Sequence, residues 1–161
     1  MVSLGFALAG LIGIVGATFI PVSHTDNGWR IFMYGTTVGG QVVENSHGME
    51  GVGCAMCHGP DGRGGQMHGI AAPDITLGRL MDPQGHDHKL TGRRHPAFNR
   101  ETVKAAIVAG IDPGGNTLDE EMPRWTGLSG KDLDDVIDYL QSLSRANRPP
   151  SRAPQPMSSR H

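Results

Sequence analysis

A chain of 161 residues with 24 glycines and only 5% aromatic content is long enough for one domain with extensions and points to a small, loop-rich fold. Small cores of that kind usually lean on a metal or a cofactor. A formal net charge of -2 supplies no strongly basic surface and argues against a chain built mainly for nucleic acid, while two cysteines confined to one short stretch leave no disulfide framework and say little about redox compartment.

The first element is apolar. Leu4 to Val22 is a run of 19 residues without a charge, in which nothing is more polar than Thr18. A secretory apolar region usually holds about 7 to 15 residues, whereas about 18 or more marks a spanning helix. No clear small-x-small cleavage site precedes Thr25, so residues 1–25 read as an uncleaved signal anchor, with a cleaved signal peptide as the alternative. No basic n-region precedes the run, so the positive-inside rule gives it no useful orientation. Gly5, Ala9, Gly13 and Ala17 recur every fourth position, a stripe that would let another membrane helix approach closely, though Gly and Ala are common in signal segments too.

Beyond Val22 the chain turns polar. Asp26 to Tyr34 is expected as a first helix carrying Trp29, Ile31, Phe32 and Tyr34, broken from Gly35 to Val43 by glycine and β-branched residues. Next comes Cys54-Ala55-Met56-Cys57-His58. Two thiols three positions apart on a helical turn can each form a thioether to one vinyl group of a single haem, and the following histidine then faces the iron; the pattern is a haem attachment signal. A zinc site would need a second ligand pair, and a thioredoxin-like redox pair would need a βαβ context. Neither is visible.

Met81 to Asn99 reads as a long polar loop carrying His86, Asp87, His88, Lys89, Arg93, Arg94 and His95. Three readings stay open for it: a solvated loop, a basic patch that docks an acidic partner, and a metal site using His86 and His88. A second helix is expected from Asn99, a good N-cap, to Gly110, with Val103, Ala106 and Ile107 on one face.

Met122 then sits in Glu120-Glu121-Met122-Pro123-Arg124-Trp125, between two helices. A thioether sulfur bonds ferrous iron well, so pairing it with His58 favours the reduced form. Pro123 fixes the backbone beside it. Met49, Met56 and Met67 lie too near the motif to reach the far side of a haem comfortably, and Met33 and Met81 are the weaker competitors.

The last helix is the clearest. Ser129-Gly130-Lys131-Asp132 resembles a capping box, and Leu133, Val136, Ile137, Leu140 and Leu143 follow at helical spacing. Asp134, Asp135 and Asp138 are expected on a solvated opposite face. Residues 146–161 form a tail whose four prolines and three serines, all past Asn147, bury too little to order it unaided. No internal repeat and no persuasive strand pair is visible.

Residues 26–145 taken together resemble the class I cytochrome c domain, found in soluble carriers and in subunits of respiratory membrane complexes. The resemblance is carried by Gly28 and Phe32, Cys54-Ala55-Met56-Cys57-His58, Gly59-Pro60-Asp61-Gly62-Arg63-Gly64-Gly65, Ala72-Pro73-Asp74-Ile75, Met122-Pro123-Arg124-Trp125 and Tyr139-Leu140. It implies an all-α fold of three to five short helices around one c-type haem (heme c), here with an N-terminal transmembrane helix. It also implies a near-perpendicular crossing of first and last helices at Gly28 and Tyr139. The Pro73 carbonyl would accept from His58 Nδ1, and Trp125 would pack at the haem edge. Thioether attachment resembles that of exported cytochromes, which places the domain in the periplasm or another extracytoplasmic space, tied to the membrane by residues 4–22.

The expected function is one-electron transfer through a haem held by Cys54 and Cys57 and ligated by His58 and Met122, with no catalysis, nucleic acid or small-molecule substrate of its own. Redox proteins, integral membrane subunits among them, are the expected partners, with the chain as a tethered carrier or the electron-entry subunit of an oxidase or reductase complex. The alternative is a haem-based gas sensor or ligand-binding module in which Met122 detaches.

Overall fold

The computed structural model describes residues 24–67, 69–88 and 91–146. Five helices carry the chain: α1 (His24–Tyr34), α2 (Ala55–His58), α3 (Leu77–Leu80), α4 (Arg100–Ala109) and α5 (Gly130–Ala146). Two antiparallel hairpins lie between them, β1 (Gly65–Met67) with β2 (Ile70–Ala72) and β3 (His86–His88) with β4 (Arg93–His95). The all-α expectation is corrected to this extent, and the loop 81–99 contains the second hairpin. Both escape a search for alternating apolar residues because each strand has three residues and the sequences Gly-Gln-Met, Ile-Ala-Ala, His-Asp-His and Arg-Arg-His present no buried apolar face. No helix among the described residues is long and apolar enough to cross a membrane; the expected anchor at residues 4–22 and the tail from Asn147 lie outside them.

Helices α1 and α5 form the frame. Ile31 and Phe32 of α1 pack with Val136, Ile137 and Leu140 of α5, joined by Val103, Ala106 and Ile107 of α4 and by Leu77, Phe98 and Trp125. Trp29 and Tyr34 stay on the outer side of α1, their rings edge to face at 5.4 Å. Gly28 makes the close approach possible, since a Cβ there would land on the Asp135 carbonyl oxygen and 3.0 Å from Tyr139 Cβ. Phe32 and Tyr139 then meet with ring centroids 5.2 Å apart.

That approach overturns one expectation. Asp135 is fully buried instead of lying on a solvated face, while Asp134 and Asp138 remain accessible and pair with Arg100. Asn27 Nδ2 donates to Asp135 Oδ2 at 2.7 Å and Lys131 Nζ does the same, so the buried carboxylate is compensated. Asn27 Oδ1 also accepts from the Val38 N–H, tying the following loop to the helix pair.

The helix ends follow local chemistry. Asn99 caps α4 with a reciprocal box, its side chain accepting from Thr102 N at 2.9 Å while Thr102 Oγ1 accepts from Asn99 N at 2.8 Å. Ser129 and Asp132 do the equivalent at the start of α5.

Candidate cofactor site

Cys54 has helical backbone angles and precedes the single turn Ala55–His58, so both motif thiols project from one turn of helix. Neither is in a disulfide. Burial, with the Cys57 thiol adding, pushes the Cys54 thiol up to about 12, which keeps it protonated at neutral pH. The Cys57 thiol lies 3.8 Å from the Met67 sulfur.

His58 is buried, with 8% of its surface exposed, and its Nδ1 lies 2.8 Å from the Pro73 carbonyl oxygen. A carbonyl only accepts, so Nδ1 carries the proton and Nε2 presents its lone pair. No described residue occupies Nε2 with a hydrogen bond. Burial lowers the His58 pKa against the opposing Pro73 bond, which favours the neutral ligand form.

Glycines bring Pro73 to this position. Gly64 has φ 101°, and a Cβ there would stand 2.6 Å from the Ala72 carbonyl oxygen. The Gly64 N–H donates to the His58 carbonyl at 2.9 Å, and the Ile75 N–H to the Gly62 carbonyl at 2.7 Å. The loop from Gly59 therefore folds back under the motif, and β2 delivers the Pro73 carbonyl.

Met122 is half-buried on the turn between α4 and α5, where its N–H reaches the Asp119 carbonyl at 3.2 Å. It stands outside the apolar core, whereas Met33 and Met81 pack against that core. Met56 is 50% exposed. Pro123 beside Met122 is buried. Trp125 is buried at 4% exposure and its backbone N–H donates to the Ile107 carbonyl at 3.0 Å, while its indole N–H makes no hydrogen bond to a described residue.

Residues not singled out from the sequence brace this turn. Ser46 exchanges hydrogen bonds with the backbone of Arg124, its N–H donating to the Arg124 carbonyl and its Oγ accepting from the Arg124 N–H, both at 2.9 Å. His47 Nε2 meets the Glu120 carbonyl at 3.0 Å. Nothing local in the stretch Glu44–Met49 signals that role, because the partners lie far along the chain.

The histidine-rich loop resolves differently. His88 Nε2 and His95 Nε2 are 3.1 Å apart, and His95 Nδ1 is held by the Pro96 carbonyl at 2.8 Å. His86 lies near them with its Nε2 at the Leu80 carbonyl. No group of three or more His, Cys, Asp or Glu that could hold a metal is found among the described residues. Arg94 pairs with Asp87 at 2.9 Å and Arg93 with the buried Asp112 at 3.1 Å, so much of the expected basic patch is neutralised locally.

Two free thiols on one turn, a buried imidazole with one nitrogen held and the other bare, and a thioether spared by the core fit the donor set of a covalently bound haem. A family model described as Cytochrome c matches residues 39–144. No curated protein and no solved structure matches the chain.

Proposed function

The chain belongs to the cytochrome c family, and on that premise we propose that it carries single electrons on an iron ligated by His58 and Met122, with no catalysis of its own. The family binds a c-type haem through two cysteines, and Cys54 and Cys57 are the pair that this chain offers. Cys54 and Cys57 would hold the haem as thioethers, each thiol giving its sulfur to one vinyl carbon and its hydrogen to the other. When bound, the group supplies an iron that changes oxidation state by one electron.

The chain's own residues then set how that iron behaves. The Pro73 carbonyl orients His58 and raises its basicity. Met122 contributes a weakly basic sulfur, which favours ferrous iron and raises the potential. With His58 and Met122 both holding it, the iron would be closed to oxygen and to substrates. The observation that carries the choice of Met122 is its place as a half-buried residue on a braced turn, outside the core that Met33 and Met81 pack against.

The same proposal extends to place and company. The run from Leu4 to Val22 supports a membrane tether, thioether chemistry supports an extracytoplasmic haem domain, and the small-residue stripe and proline-rich tail favour a stable subunit of a membrane redox complex over a free shuttle. Met122→Ala tests the ligand assignment. The variant is expected to turn a low-spin ferrous spectrum high-spin and sensitive to carbon monoxide; an unchanged low-spin spectrum would show that another residue holds the sixth position.

A further inference from the structure

Three backbone carbonyls of the turn that bears Met122 converge on one side chain. Arg124 Nη1 donates to the carbonyls of Met122 and of Asp119, the latter at 3.3 Å, and Nη2 donates to the Leu118 carbonyl at 3.0 Å. The guanidinium stands beside Gly110, the left-handed C-cap of α4, where a side chain would collide with it. A cation at that helix end also faces the favourable pole of the helix dipole. The backbone of Arg124 is itself anchored by Ser46 on both sides of the residue. One residue thus links an anchored strand of chain to the backbone immediately around Met122, with a planar fork that a lysine cannot reproduce.

We infer that Arg124 is a positioning residue, which fixes the turn carrying the Met122 thioether and so keeps the sixth iron position closed. The inference rests on Met122 as the ligand. Removing the guanidinium leaves the Leu118 and Met122 carbonyls to find water, with the Asp119 carbonyl keeping only the Met122 N–H, and opening the turn to do so carries the sulfur away from the iron.

The test uses the full-chain holoprotein in the ferric state and follows the sulfur-to-iron charge-transfer band as pH is raised until another ligand displaces the sulfur. Wild type is expected to show the band. In Arg124→Gln its loss is expected about one pH unit or more lower, a roughly tenfold weakening of ligation, the size that one charge-assisted hydrogen bond sets. Arg124→Lys is expected to fall between the two, and it serves alone if Arg124→Gln does not fold. Asn99→Ala, which weakens the opposite end of α4, is expected to lower the unfolding temperature and leave the band where it was.

Absence of the band in wild type overturns the ligand assignment and this inference together. A band present in wild type and lost at the same pH in both Arg124 variants overturns the inference alone. So does an equal shift in Asn99→Ala, which would reduce the effect to general destabilisation.

Discussion

At the residue scale, a buried polar atom is placed by its partners, some of them close by and some far along the chain. Asp112 shows what this costs and contributes. Its carboxyl is sealed from solvent, and although burial opposes its charge, the donors of Asn116 and Gly114 together with His95 hold it below the usual carboxylate range. Arg93 Nε sits 3.1 Å from it in an ion pair but without hydrogen-bond alignment, so among the described residues this carboxylate is what offsets that buried nitrogen. Asp112→Asn is expected to cost about 3 kcal/mol at neutral pH, measured by denaturant unfolding, because it strands Arg93. The sign with pH follows from the lowered value. Stability from this group is fully present above the ordinary aspartate pKa of about 3.9 and is lost as pH falls through its lower folded value. The wild type is therefore expected to lose stability below about pH 4 more steeply than the variant. Parallel acid profiles would contradict this. The motif residues themselves were legible from spacing alone, since Cys54, Cys57 and His58 sit on one turn. Ser46, Arg124 and the buried Asp135 were not, because side-chain partners across long sequence separations leave no local pattern.

Elements were legible where a cap or a period declares them. The helix from Asn99 to Gly110 lies between its two caps, and the last helix starts at its Ser129–Asp132 box. Asn99→Ala is expected to cost about 1 kcal/mol, read as a lower thermal midpoint with helix content otherwise kept. Gly28 is the stricter position. Its missing side chain sets how closely α1 and α5 approach, and Gly28→Ala must either displace Asp135 or part the helices. A loss of about 2 kcal/mol or more is expected in denaturant unfolding, with the Asn27–Asp135 bond broken as well. A stability equal to wild type would mean that the frame does not depend on this contact. The hairpins were the elements hidden from the sequence. Their three-residue strands bury no apolar face and are held by their antiparallel pairing, which neither propensity nor periodicity records.

At the scale of the whole molecule, the haem domain and the apolar run before it are separate features. The haem domain rests on geometry as well as on sequence, whereas the tether rests on the apolar run from Leu4 to Val22, about the length needed to span the hydrocarbon core. The full chain is expected to sediment with membranes and to resist salt extraction, and deletion of residues 4–22 is expected to release a haem domain of unchanged spectrum. Release of the full chain by salt alone would contradict the tether. As proposed, the iron would exchange one electron while His58 and Met122 both stay bound to it. A spectroelectrochemical titration of the holoprotein, run with and without carbon monoxide, tests that most directly. A single reversible one-electron wave, a low-spin ferrous spectrum, and the same midpoint with and without carbon monoxide are expected. A midpoint raised by carbon monoxide, with a ferrous spectrum that changes on its addition, would contradict it and reveal an iron open to ligands.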